Sequence, residues 1–95
     1  MSGNVFVDGQ PVCDDRWDLR AAAVVCRMMF NVSALAATTR SAFGRVGYAF
    51  AMTEVNCTGE EDDLRDCQHE IPRRCWQAAG VLCGGKYCRY HYYYN

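Results

Sequence analysis

The segment Val12-Cys13-Asp14-Asp15-Arg16-Trp17-Asp18 runs directly into Leu19-Arg20-Ala21-Ala22-Ala23-Val24-Val25-Cys26-Arg27-Met28-Met29-Phe30, and the chain changes character at Asp18. From there Leu19, Ala22, Ala23, Cys26 and Met29 or Phe30 recur at helical spacing, while Arg20 and Arg27 fall elsewhere. That period predicts an amphipathic α-helix. Asp18 is suited to cap it, since its carboxylate can accept from an orphan N–H of the first turn, and the alanine run raises helix propensity. Cys26 lies on the apolar face, placed to crosslink the helix to another element. Met28 and Met29 read as core filler.

Upstream, Val5-Phe6-Val7 reads as a strand and Asp8-Gly9 as its turn, the pair supplying the positive φ that a hairpin needs. Pro11-Val12-Cys13 is the return strand, and Pro11, which has no N–H to donate, places that part at a sheet edge or start. Downstream, Ser33 to Ser41 is rich in Ala and Thr and reads as a loop, ending at Gly44 and Gly47. Tyr48 to Val55 has strand composition and leads into Cys57. Thr58 to Cys67 carries Glu60, Glu61, Asp62, Asp63 and Asp66 against Arg65 and reads as a solvated acidic loop. Ala78 to Cys83 is short and apolar, suiting a buried closing strand. After Gly84-Gly85 the chain holds five of its six tyrosines. These divisions predict one domain over residues 1–83 and a Tyr-rich C-terminal tail over 84–95.

Seven cysteines in 95 residues is several times ordinary usage, and a chain this short needs covalent or metal support for its core. No Cys-x-x-Cys pair occurs, and Cys88 with His91 supplies only two ligands, which do not close a zinc site. Disulfides are therefore expected, and with them an oxidising, extracellular compartment. Six cysteines pair and one is left over, but spacing does not choose among the connectivities. Asn31-Val32-Ser33 and Asn56-Cys57-Thr58 both fit the N-glycosylation pattern. Ten Lys+Arg against eleven Asp+Glu give a net charge of −1, so an anionic partner must read a local patch, and nucleic acid is not expected as a physiological partner. No apolar run is long enough for membrane insertion. Met1-Ser2-Gly3 is not a secretory signal, which implies a domain taken from a larger secreted or membrane-anchored parent.

Five phrases together carry a family likeness: Val12 to Asp18; Ala22-Ala23-Val24-Val25-Cys26-Arg27-Met28; Val55-Asn56-Cys57-Thr58-Gly59-Glu60-Glu61; Leu64-Arg65-Asp66-Cys67-Gln68-His69; and Ala79-Gly80-Val81-Leu82-Cys83. In this order and spacing the chain resembles the scavenger receptor cysteine-rich (SRCR) domain from about Gly3 to Cys83. The resemblance implies an α+β fold, a curved antiparallel β-sheet cradling one main α-helix. It also implies the family's three-disulfide, group A pattern: Cys13 with Cys75, Cys26 with Cys83, and Cys57 with Cys67, leaving Cys88 outside the set. The family's Glu-Asp-Ala-Gly-Val phrase is replaced here by Trp76-Gln77-Ala78-Ala79-Gly80-Val81, so that segment offers no acidic ligand.

The resemblance further matches Asp14, Asp15 and Glu61 to acidic positions that hold a divalent cation in metal-binding members, making Ca2+ or Mg2+ the candidate cofactor; three carboxylates plus water would leave a cation open to an anionic ligand. The competing reading places the same carboxylates ahead of a helix N-terminus, where the macrodipole favours them without a metal. Arg73 and Arg74 are the candidate ligand-binding residues, with Arg40, Arg45 and Arg16 as neighbours after folding, because guanidinium pairs geometrically with sulfate, phosphate and carboxylate. His69 and His91 are the only histidines and no serine has a nucleophile context, so an enzyme is not expected. The reading is an extracellular ligand-binding module for proteins or polyanions, with neighbouring domains in a larger parent. The alternative is a noncatalytic spacer or regulatory domain of a secreted enzyme, of serine protease or lysyl oxidase-like type.

Overall fold

A computed structural model describes residues 1–47, 49–71 and 74–84, and the backbone of 91–94. The chain opens with a hairpin, β1 (Ser2–Val7) and β2 (Gln10–Pro11), joined through Asp8 at φ 51° and Gly9 at φ 80°. Two successive positive φ values are what a two-residue turn needs to match the twist of its strands. Val5 and Val7 point into the core, and Val12 continues past β2 by donating its N–H to the Val5 carbonyl.

The helix α1 spans Leu19–Phe30. Asp18 caps it, one carboxylate oxygen accepting from the N–H groups of Arg20 (3.1 Å) and Ala21 (3.2 Å). Asn31 ends it in the left-handed region (φ 55°, ψ 41°), and its N–H donates to the Arg27 carbonyl. Asparagine is the residue other than glycine that most readily takes this cap conformation. The buried face differs from the expected one. Ala21, Ala22, Val24, Val25 and Cys26 are buried, whereas Leu19 is 53% exposed and Ala23 only half-buried. In a helix this rich in alanine the apolar pattern fixes the rotation weakly, and the Cys26–Cys83 bond and packing against β6 set it instead.

Downstream lie β3 (Ala34–Thr38), β4 (Thr53–Asn56), a 3-10 turn (Leu64–Asp66), β5 (Gln68–Glu70), β6 (Gly80–Cys83) and β7 (His91–Tyr94). The main sheet runs β2-β1-β6-β3, with antiparallel pairing, and β7 pairs in parallel with β1. β4 and β5 form a second, two-stranded antiparallel sheet. The fold is thus α+β, with α1 packed on β3 and β6. The stretch expected as a loop, Ser33 to Ser41, contains β3: its small side chains carry little strand preference, but they fit between the β6 edge and the helix. Of the strand expected over Tyr48 to Val55, whose first residue lies outside the described residues, the structure shows Thr53–Asn56, where Glu54 at φ 50° accompanies a register shift against β5. The closing strand begins at Gly80 rather than Ala78.

Three disulfides hold this arrangement: Cys13–Cys75 and Cys26–Cys83, with sequence separations of 62 and 57, and Cys57–Cys67, with a separation of 10. This is the pairing that the resemblance implied; Cys88 lies outside the described residues. By chain entropy the two long loops contribute about 4 kcal/mol each and the short one about 3 kcal/mol. Where β6 passes between β1 and β3, Trp17 donates its indole N–H to the buried Gly80 carbonyl at 2.8 Å. A Cβ at Gly80 would meet Thr38 Oγ1 and come within 2.8 Å of the Gly3 carbonyl. Gly80→Ala is therefore expected to destabilise the domain by about 2 kcal/mol or more, read as a lower urea midpoint. Gly47→Ala, where the added Cβ meets nothing within 4 Å, serves as the matched control with an unchanged midpoint.

Candidate functional site

The Cys13–Cys75 bond gathers several loops at one end of the molecule. Cys13 and Cys75 bury against Phe50, and the half-buried Val46 packs on them. The turn after β3 is held to the same place: Arg40 donates its N–H to Asp14 Oδ2 at 2.8 Å, Ser41 donates its N–H to the Ala78 carbonyl, and Ala78 N–H donates to Ser41 Oγ. Arg40 and Ser41 both have positive φ (56° and 51°), a conformation costly for these residue types and maintained by those bonds. Asp14 in turn donates its N–H to the Gln77 carbonyl.

Three arginines belong to the segments that meet at this bridge. Arg40, Arg45 and Arg74 are exposed, and among the described residues none of them forms an ion pair. Arg40 is fixed through its backbone to Asp14, Arg45 adjoins Val46, and Arg74 adjoins Cys75. Arg73 lies outside the described residues. Arg16 is placed differently: its Nε stands 3.6 Å from Glu54 Oε1, in a shallow groove of about 180 Å³ that it shares with Asn56, Gln68, His69 and Glu70. There His69 donates Nδ1–H to the Cys67 carbonyl at 2.7 Å.

The three carboxylates matched to a cation site are not gathered. Asp14 falls in a group with Cys13 and Cys75, Glu61 in another with Cys57 and Cys67, and Asp15 in neither. All four sulfurs of those groups are spent in disulfides. Asp15 Oδ1 accepts from the Glu54 N–H at 2.8 Å. Glu61 folds back on its own loop, accepting from the N–H groups of Thr58 (2.9 Å) and Gly59 (3.0 Å) and from the Thr58 hydroxyl (3.0 Å). These residues therefore do not fit one shared site for calcium or magnesium, which takes six or more oxygens. The spacing of Glu61 three residues after Thr58 is that of a local capping arrangement. Arg27 closes the same loop onto α1, its guanidinium donating to the carbonyls of Gly59 and Glu61.

The family model of the scavenger receptor cysteine-rich domain matches residues 2–84. The chain belongs to this family. Galectin-3-binding protein of Pongo abelii is 44% identical over 85 residues, covering 83% of this chain and 15% of that protein. Lysyl oxidase homolog 2 of Homo sapiens is 44% identical over 75 residues, covering 76% of the chain and 10% of that protein. The crystal structure of the dimeric form of the SRCR domain of mouse MARCO superposes with a TM-score of 0.75 at 32% identity, covering 88% of this chain and 87% of that one. Among the curated relatives it matches, this SRCR domain spans 8% to 15% of their length. It is an extracellular domain, and no helix of the described residues is long and apolar enough to cross a membrane.

Two exposed apolar side chains were not singled out from sequence: Ile71, directly after β5, is 82% exposed and Trp76, beside Cys75, is 63% exposed. Trp76 directly follows Arg74-Cys75, and that adjacency was the available signal.

The Thr58 N–H, with the Gly59 N–H and the Thr58 hydroxyl, holds the Glu61 carboxyl down from an ordinary 4.5 to about 2. A carboxyl depressed on folding stabilises the loop above its unfolded value and loses that contribution as pH falls from about 4.5 toward 2. In a carbon-detected NMR titration Glu61 is expected to titrate near 2, with the Thr58 and Gly59 amide shifts following the same midpoint. A Glu61 midpoint near 4.5 would show that the loop bonds do not persist in solution.

Proposed function

We propose that this SRCR domain is a noncatalytic extracellular recognition module that holds anionic ligands, polyanions or acidic protein surfaces, on the arginine face around Cys13–Cys75. The observation that carries this reading is the set Arg40, Arg45 and Arg74, exposed and, among the described residues, with guanidinium groups in no ion pair, on segments that meet at one disulfide. An arginine already paired within the protein has little to offer a ligand. An unpaired one presents a planar fork of donors that matches sulfate, phosphate or carboxylate. Several on a fixed surface raise the local concentration of an anion even when the whole chain is nearly neutral. Arg73 joins this proposal from its place in the sequence beside Arg74.

Supporting the reading is the kinship with galectin-3-binding protein, whose name records a protein ligand. Neighbouring domains in a larger parent belong to the same proposal, since the relatives are far longer than this chain. A divalent cation enters only through Asp14 and Asp15, each of which keeps one carboxylate oxygen outside the hydrogen bonds described. Two such oxygens give calcium or magnesium at most a weak site, and ligand binding is not routed through it.

Kinship with lysyl oxidase homolog 2 favours the second reading, a spacer within a secreted enzyme. Heparin chromatography separates the two. Retention by the wild-type domain that falls as salt rises, is indifferent to EDTA, and drops with Arg40→Ala combined with Arg74→Ala supports the arginine face. Arg65→Ala, which removes a residue already paired with Asp63, is the control and is expected to leave retention unchanged. Absence of wild-type retention at physiological salt favours the spacer. Retention that survives the double substitution removes the arginine face from the account.

A further inference from the structure

Between α1 and β3 lies an open groove of about 420 Å³ of mixed lining, the apolar Leu19, Ala23, Val32 and Ala34 alternating with the polar Arg27, Asn31 and Ser33. Leu19 is 53% exposed there, although it belongs to the helix's apolar repeat. Asn31, the left-handed cap residue of α1, lines the same groove and begins the Asn31-Val32-Ser33 sequon. Both Asn31 and Ser33 are exposed. Among the described residues neither the Asn31 side-chain amide nor the Ser33 hydroxyl is engaged in a hydrogen bond, the Asn31 backbone N–H being the one that donates to Arg27.

The other sequon contrasts with it. Asn56 lies in β4 opposite Gln68, Cys57 is bonded to Cys67, and the Thr58 hydroxyl donates to Glu61 Oε1 while accepting from the Glu60 N–H. Its hydroxyl and its central residue are both committed within the fold.

We propose that Asn31 is the N-glycosylation site of this domain and that the first N-acetylglucosamine seats in the α1–β3 groove, its acetyl methyl and ring C–H face covering Leu19, Ala23 and Val32. In the transfer, Asn31 Nδ2 attacks the anomeric carbon of a lipid-pyrophosphate-linked oligosaccharide. A C–N bond forms, the C–O bond to the pyrophosphate breaks, the lipid pyrophosphate leaves, and the amide nitrogen gives up one proton. The sugar then occupies apolar surface that the helix rotation has left open, which accounts for a leucine in the helical repeat facing outward. This proposal is independent of the arginine-face reading, since it rests on a different part of the molecule.

The test uses the full chain, with a signal peptide added, secreted from mammalian cells held at the oligomannose stage. Intact mass is expected to show one glycan, retained in Asn56→Gln and lost in both Asn31→Gln and Ser33→Ala, the latter leaving the cap residue in place. An unglycosylated wild type, or a glycan lost only in Asn56→Gln, overturns the site. For the seat, an endoglycosidase that leaves one N-acetylglucosamine is compared with an amidase that removes the whole glycan. Anilinonaphthalene sulfonate fluorescence is expected to rise only after complete removal, and that rise to vanish in Leu19→Gln. Equal fluorescence after both treatments overturns the seat while leaving the site standing.

Discussion

The bond between Cys26 and Cys83 is the constraint on which the remaining structure depends. It ties the middle of the only α-helix among the described residues to the end of β6, the strand that lies between β1 and β3. A core in which alanine, valine and half-cystine outnumber the few large side chains, Trp17, Phe50, Met52 and Leu64, leaves a 95-residue chain little margin, and two of the helix's five buried residues are alanine. A covalent tether lowers the entropy of the unfolded chain and also removes the rotational freedom of a helix whose pattern alone is indecisive. Trp17 and Gly80 complete the clamp. The indole N–H satisfies a buried carbonyl, and the absent side chain at Gly80 lets three strands come together.

The other two disulfides act on loops. Cys13–Cys75 draws the segment around Val46 and the residues next to Cys75 to one end, where the Asp14 carboxylate also fixes the turn after β3. Cys57–Cys67 closes a short acidic loop whose organising group is Glu61, held by Thr58 and Gly59 and covered by Arg27. The cationic face proposed around Cys13–Cys75 is compatible with a chain that is nearly neutral in sum.

The α-helix, its Asp18 cap, the β1–β2 hairpin and the closing strand were legible because each is written in adjacent residues: a period, a capping carboxylate, a turn that needs positive φ. β3 was not, because Ala34 to Thr38 becomes a strand only through the edge of β6. The outward position of Leu19 was not, because it depends on the helix's rotation. Asp14 and Asp15 looked equivalent to Glu61 as cation ligands, yet a carboxylate is available only after its protein donors are counted, and Glu61 has several within three residues.

By itself the sequence determined the class of the molecule: a small extracellular domain carrying half-cystines, one capped helix and a tight hairpin, since cysteine content, helical period and turn residues act locally. The disulfide partners came from kinship with the SRCR family, because spacing does not distinguish one pairing from another. Tertiary structure alone decided which helix face is buried, which loops meet at Cys13–Cys75 and which carboxylates are already spent. Each of those outcomes is a contact between residues far apart in the chain, and such a contact acquires its energy only once the loops between them have been closed.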